Sequence, residues 1–154
     1  MKYYAGIGSR ETPDNILGAM TTFASLLHTR GYWLRSGAAK GADTAFQYGA
    51  SDNAEIFTAS DATPDGIALA GEHHPAWHKC NTYVRKLHGR NSMIILGQHL
   101  DSPVEFVICW TPHGEVTGGT GLGMRLAMAH EIPIYNLAKA KDFSYIQYLT
   151  REAE

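Results

Sequence analysis

The chain has 154 residues, 44% of them hydrophobic and 18% charged, which excludes a disordered chain and fits one domain with its own core. The 13 Lys and Arg against 15 Asp and Glu leave a formal charge of −2, which excludes a wholly cationic nucleic-acid coat but not a local basic pocket. Cys80 and Cys109 are too few for a disulfide scaffold and form no CxxC pair; they suit a reducing compartment, with Cys as a small buried hydrophobe. The N-terminal residues lack the apolar run of a signal peptide, and no run approaches the roughly 20 residues that span a bilayer. The expectation is a soluble, cytoplasmic protein without membrane contact.

Short apolar runs alternate with amphipathic stretches, the pattern of a parallel α/β sheet. Residues 3–7 read as a first strand ending in Gly8-Ser9-Arg10. A helix follows with Thr12 as N-cap, Pro13 at the first helical position and Asp14 near the positive dipole end. Ile16, Met20, Phe23, Ala24 and Leu27 share one face of it, and Gly31 stops it. Residues 32–35 read as a second strand, 36–41 as a glycine-rich turn, and Ala42, Ala45 and Phe46 as the face of a second helix. A third strand is expected at 55–58 and a long aperiodic loop over 59–75. Helical character returns over 77–100, broken near Gly89. Residues 104–110 suit a buried central strand, 111–120 a loop, 122–130 a helix, 132–136 a last strand and 142–151 a closing helix. The expected fold is a single doubly wound α/β domain with a mainly parallel five-stranded sheet.

Three turns are dense in glycine: Gly6-Ile7-Gly8-Ser9-Arg10, Ser36-Gly37-Ala38-Ala39-Lys40-Gly41-Ala42-Asp43, and Thr117-Gly118-Gly119-Thr120-Gly121-Leu122-Gly123. In an open parallel sheet such turns lie at the carboxyl ends of the strands, where ligands bind. Glycine permits close backbone approach, and helix N-terminal N–H groups favour an anion. Arg10 and Lys40, with the hydroxyls of Ser9, Ser36, Thr117 and Thr120, add candidate donors for a phosphate. Neither GxGxxG with its downstream acid nor GxxxxGK[ST] is present, so NAD-type and Walker-type readings fail.

The first two turns resemble the first two motifs of the Rossmann-like domain of the DprA (Smf) DNA-processing proteins. Gly89-Arg90-Asn91, followed by Met93-Ile94-Ile95, resembles that family's Arg-Asn-Arg-apolar segment, with Ser92 in place of the second Arg. Thr117-Gly118-Gly119-Thr120-Gly121 is similar to its last glycine turn. The resemblance runs from about residue 3 to 137 and extends to the SLOG superfamily, which also includes the LOG phosphoribohydrolases. It implies a pocket for nucleotide or nucleic-acid phosphate built from Gly8, Ser9 and Arg10, then Gly37, Lys40 and Gly41, then Arg90 and Asn91, and finally the Thr117 to Gly121 turn. It also implies a homodimer.

The LOG pattern Gly-Gly-x-Gly-Thr-x-x-Glu carries a catalytic carboxylate one turn into its helix; here Arg125 stands at that place, where it serves an anion rather than an oxocarbenium-like centre. Asp43, Glu11 and Glu115 are the carboxylates left for N-glycosidic hydrolysis, with a helix cap as the alternative for Asp43 and solvated loop charges for the other two. Single-stranded DNA binding needs a basic groove with aromatics, for which Lys79, Arg85, Lys86 and Arg90 near Tyr83 and Trp77 are the available material. A free nucleotide or nucleotide-derived signal needs only the anion-binding turns and an aromatic for the base. Trp110, at the end of the central strand, is the stacking candidate, ahead of Tyr4, Trp33 and Trp77. His113, beside the last glycine turn, is a candidate proton donor with a plain loop histidine as its alternative.

His73, His74 and His78 cluster with Cys80, and His74 and His78 are spaced to share a helix face, but no HExxH or paired-Cys motif accompanies them. They are expected at the surface, with no metal and no cofactor. The leading expectation is a binder of a phosphorylated nucleoside, followed by an N-glycosidase acting on nucleoside 5′-monophosphates and a DprA-like DNA binder.

Overall fold

Successive residues of a strand point to opposite faces of a sheet, and the short apolar runs of this chain use both faces. The computed structural model describes residues 1–151. Five strands, β1 (Lys2–Gly6), β2 (Tyr32–Ser36), β3 (Ala54–Ile56), β4 (Val107–Cys109) and β5 (Ile134–Asn136), form one sheet in the order β3-β2-β1-β4-β5. Every pairing is parallel, with Ala5 opposite Arg35 and Val107, and Ile108 opposite Gly6 and Tyr135. The helices are α1 (Asp14–Thr29), α2 (Ala42–Ala50), α3 (Pro64–His73), α4 (Thr82–Leu96), α5 (Gly118–Ala129) and α6 (Ala140–Arg151).

Tyr4 and Ile108 point into a layer with Met20, Phe23, Leu27, Phe46 and Ile146, so α1, α2 and α6 cover that face. Ala5, Val107 and Cys109 point the other way, against Met93, Ile95, Leu122 and Leu126, so α3, α4 and α5 cover the opposite face. This is the doubly wound, Rossmann-like α/β architecture expected from the sequence. From β1 the chain steps outward to β2 and β3, then crosses back through α3 and α4 to β4. The direction of winding therefore reverses between β1 and β4, and a crevice opens at their carboxyl ends.

Several local expectations are corrected. The N-cap position of the helix after β1 is Pro13 rather than Thr12 and makes no side-chain capping bond, while the Thr12 hydroxyl donates to the Ser9 carbonyl at 2.6 Å. The segment read as a loop over 59–75 contains α3, capped by Thr63, whose hydroxyl accepts the Gly66 N–H, with Pro64 at its start. Its short length and three glycine or proline residues hide the period.

The helix read as broken near Gly89 runs unbroken to Leu96. A Cβ at Gly89 would come within 2.5 Å of the Ile67 side chain, and one at Gly66 within 2.9 Å of the Gly89 carbonyl. The two glycines let α3 and α4 cross closely, and Ser92 locks the crossing by donating to the Gly66 carbonyl at 2.9 Å. The helix expected from 122 begins instead at Gly118, so the last glycine turn is itself helical. The central strand read at 104–110 is regular only over three residues. Its bonds to the β1 chain nonetheless extend further, from Glu105 N–H onto the Tyr3 carbonyl to Ser9 N–H onto the Trp110 carbonyl.

Candidate functional site

The crevice between β1 and β4 widens into a cavity of about 570 Å3, within the size range of small-ligand sites. Three strand-to-helix turns and one helix wall enclose it. Gly8, Ser9, Arg10 and Glu11 come from the turn after β1, Ala39 and Asp43 from the turn after β2, and Thr117, Gly118, Gly119 and Thr120 from the start of α5. The wall is one face of α4: Val84, Leu87, His88, Asn91, Ile94 and Ile95 fall at helical spacing, with Arg90 beside them.

At the start of α5 the first-turn N–H groups have no intrahelical acceptor, and the Thr117 side chain makes no capping bond to them. Gly118 holds a φ of 67°, a conformation that glycine adopts at little cost. A Cβ at Gly118 or Gly119 would meet nothing within 4 Å, so these glycines face open space. The result is a bare, positively polarised helix end on the cavity rim.

The turn after β2 is built differently. Ser36 donates its hydroxyl to the Gly6 carbonyl at 2.6 Å and is wholly buried, so it is spent on structure rather than on a ligand. The Ala39 N–H donates to Asp43 Oδ2 at 3.2 Å. A Cβ at Gly37 would lie 2.4 Å from Arg90 Nη1 and 2.6 Å from Asp43 Oδ2, so only glycine lets guanidinium and carboxylate lie this close to the backbone. Arg90 is further held by donating Nη1 to the Phe57 carbonyl at 3.0 Å and Nε to Asn91 Oδ1 at 2.8 Å. Asn91 Nδ2 in turn faces the Gly119 carbonyl at 3.5 Å, linking the two turns.

Asp43 is 7% exposed, and burial raises its carboxyl above the ordinary range, although Arg90 and the Ala39 N–H pull the other way. The Arg90 guanidinium is lowered by burial, with Asp43 opposing that. His88 is pushed down to about 4 by burial, with the charges of His74 and Arg90 adding to the effect. The site thus combines a buried carboxyl, a half-buried guanidinium and an uncharged imidazole around an apolar wall.

Of the sequence candidates, Gly8, Ser9, Arg10, Glu11, Asp43, Arg90, Asn91, Thr117, Gly118, Gly119 and Thr120 meet at the cavity. Gly37 lies beneath it, under the Arg90 and Asp43 side chains. Lys40 does not reach the lining: Gly41, at a φ of 92°, turns the chain into α2 and leaves 38–40 exposed. Glu115 is exposed in the loop before α5 and outside the lining. Gly121 is buried behind the rim, where a Cβ would lie 3.1 Å from the Val116 backbone and 3.5 Å from Arg125 Nη1. Arg125 therefore lies behind the first turn, where its charge acts on His74.

Trp110 packs into the layer with α1, α2 and α6, so the expected stacking residue is turned away from the cavity; its carbonyl holds the Ser9 N–H instead. Tyr4 is wholly buried and stacks on Phe106. No Phe, Tyr or Trp is among the lining residues. Arg85, considered for DNA, lies over the Trp77 ring and donates to the Trp77 carbonyl at 3.1 Å.

The apolar wall and His88 were missed in the sequence. Reading three and four residues either side of Asn91 finds Leu87, His88, Ile94 and Ile95 on its face. The histidine cluster also differs from expectation. His74 ends α3 and His78 belongs to a separate 3-10 turn, so they share no helix face. His74 and Cys80 are half-buried and meet the buried His88. Cys109 is buried as expected.

No family model matches the chain, and neither the curated proteins nor the solved structures compared with it contain a match.

Proposed function

We propose that this chain binds a phosphorylated nucleoside in the cavity between β1 and β4, with the phosphate at the bare start of α5. The observation that carries the reading is the two-ended chemistry of one cavity. One rim presents first-turn N–H groups over 118–120 beside Arg10, and the wall presents Val84, Leu87, Ile94 and Ile95. The first suits an anion and the second a flat apolar base. Asp43, held by the Ala39 N–H, is the acceptor available to a ribose hydroxyl. The motif resemblance to the SLOG superfamily, carried by the same turns, points the same way. The base packs against aliphatic side chains and His88 rather than on Trp110.

The test is calorimetric titration with a nucleoside 5′-monophosphate, the matching nucleoside, inorganic phosphate and a short single-stranded oligonucleotide. The expected order is monophosphate tightest, with nucleoside and phosphate each weaker. Saturation to 100 times the dissociation constant would stabilise the chain by about 2.7 kcal/mol. Binding of the oligonucleotide alone, with affinity falling steeply as salt rises, would replace this reading with DNA binding.

One observation favours hydrolysis as a second reading. Asp43 is a buried carboxyl on the cavity wall whose pKa burial raises while Arg90 and the Ala39 N–H pull it down, and a carboxyl perturbed in this way inside a cleft is a candidate general acid or base. Base release from a bound monophosphate, abolished in Asp43→Asn while binding persists, is the result this second reading requires.

A further inference from the structure

His74, Cys80 and His88 come from three different segments: the end of α3, the end of the 3-10 turn at Trp77–Lys79, and the middle of α4. One donor atom from each lies within 4.8 Å of the others. His74 Nε2 is 3.7 Å from Cys80 Sγ, and the two imidazole rings meet edge to face with centroids 4.6 Å apart. His88 is 8% exposed, and its Nδ1 is buried without a hydrogen-bond partner. A buried ring nitrogen left unpaired is costly, and here it belongs to a group of donors already gathered. Trp77 packs against both rings, at 5.8 and 6.2 Å between centroids, and gives the group an apolar side.

We propose that His74, Cys80 and His88 form a binding site for a zinc-class divalent metal ion. One thiolate and two imidazoles are a borderline-soft donor set, which suits Zn2+ and its Co2+ surrogate rather than Mg2+ or Ca2+. Three protein donors leave a fourth position for water or another ligand. The site meets the nucleotide cavity at one residue, His88, which lines both, whereas Cys80 and His74 lie outside the cavity.

Loading the site has a defined proton balance. The thiol of Cys80 loses its proton to solvent as the sulfur–metal bond forms. The Ala76 N–H now donates to His74 Nδ1 at 2.9 Å, which puts the proton of the neutral ring on Nε2, facing Cys80. Coordination through Nε2 requires that proton to move to Nδ1, so the Ala76 bond opens. The thiolate is the donor of the three that carries a negative charge, which offsets part of the charge of a divalent ion. Because His88 is shared with the cavity wall, an occupied site also stiffens that wall.

The experiment uses the full chain, reduced, stripped with a chelator and titrated with Co2+ and then Zn2+. The expected result is one tightly held ion per chain, with thiolate-to-cobalt charge-transfer absorption that Zn2+ abolishes. Cys80→Ser and His88→Gln should each weaken binding at least about 100-fold, since the loss of an outer-shell partner alone costs 10–100-fold. His78→Ala, which removes an exposed neighbour outside the group, should keep full stoichiometry. Circular dichroism checks that the variants fold; Cys80→Ser decides the matter if His88→Gln does not. Uptake unchanged in Cys80→Ser, uptake lost in His78→Ala, binding without the thiolate band, or no retained ion would each overturn the proposal.

Discussion

The turn after β2 and the start of α5 look alike in sequence, both dense in glycine beside small or hydroxylated residues, yet they use glycine for opposite purposes. In the first, the glycine makes room for the protein itself: Gly37 lies under Arg90 and Asp43, and the Ser36 hydroxyl is consumed by the Gly6 carbonyl. In the second, Gly118 and Gly119 have no neighbour where a Cβ would stand, and the Thr117 side chain leaves the helix end uncapped. A glycine cluster therefore reports close approach without naming what approaches. Counting hydrogen bonds and nearby atoms separates a closed turn from an open one.

Substitutions at the two turns should separate them further. Gly37→Ala is expected to have the largest effect. Its Cβ displaces a guanidinium and a carboxyl that are each otherwise held, at a cost of about 1–3 kcal/mol in stability together with weakened ligand affinity. Denaturant unfolding beside a nucleotide titration measures both. Arg10→Ala is expected to remove about 1.5–3 kcal/mol of binding to any phosphate ligand with unfolding unchanged, because Arg10 is exposed on the rim. Equal affinity in wild type and variant would remove Arg10 from the anion site.

Gly119→Ala is the sharpest contrast with Gly37→Ala. It replaces glycine in the first helical turn where space is open, so stability should hold or rise by up to about 1 kcal/mol. Phosphate affinity should fall several-fold in the same variant, because the methyl group enters the space the anion needs. A variant that binds as well as wild type would place the anion elsewhere.

The smallest expected effect is the pH slope contributed by Asp43. Its folded pKa is raised above the unfolded value, so the folded state holds its proton longer as pH rises. Stability from this group is fully present below the unfolded pKa and is lost as pH climbs through the folded pKa. Asp43→Asn should flatten that part of the profile while keeping an acceptor for the Ala39 N–H. Unfolding curves collected from acid to neutral pH on both proteins show whether the two profiles converge below the carboxylate range.

Much of the site was legible because it rests on local backbone chemistry. Gly8, Arg10, Asp43, Asn91 and Gly118 lie in short motifs that advertise a turn, a cation or a helix start, and all reach the cavity. What was not legible depends on how elements cross. Gly89 reads as a break in an isolated helix, but at the crossing with α3 it is what allows contact with Ile67. Trp110 reads as the nearest aromatic to the ligand because it ends the central strand. Strand alternation turns it into the other layer instead. His88 carries no motif, and its partners His74 and Cys80 are brought to it by the packing of α3 on α4 and by the contacts of Trp77, in the following 3-10 turn, with His88 and Arg85.

The sequence by itself determined the alternation of strands and helices, the doubly wound class and the three turns at one end of the sheet. These follow from hydrophobic period and from glycine and capping chemistry, all of which act over a few residues. Tertiary structure alone decided which turn is open and which is closed, which face Trp110 takes, and that His74, Cys80 and His88 meet. Each of those outcomes depends on the approach of side chains far apart in the chain, and close packing of α3, α4 and the sheet sets that approach within a few ångströms.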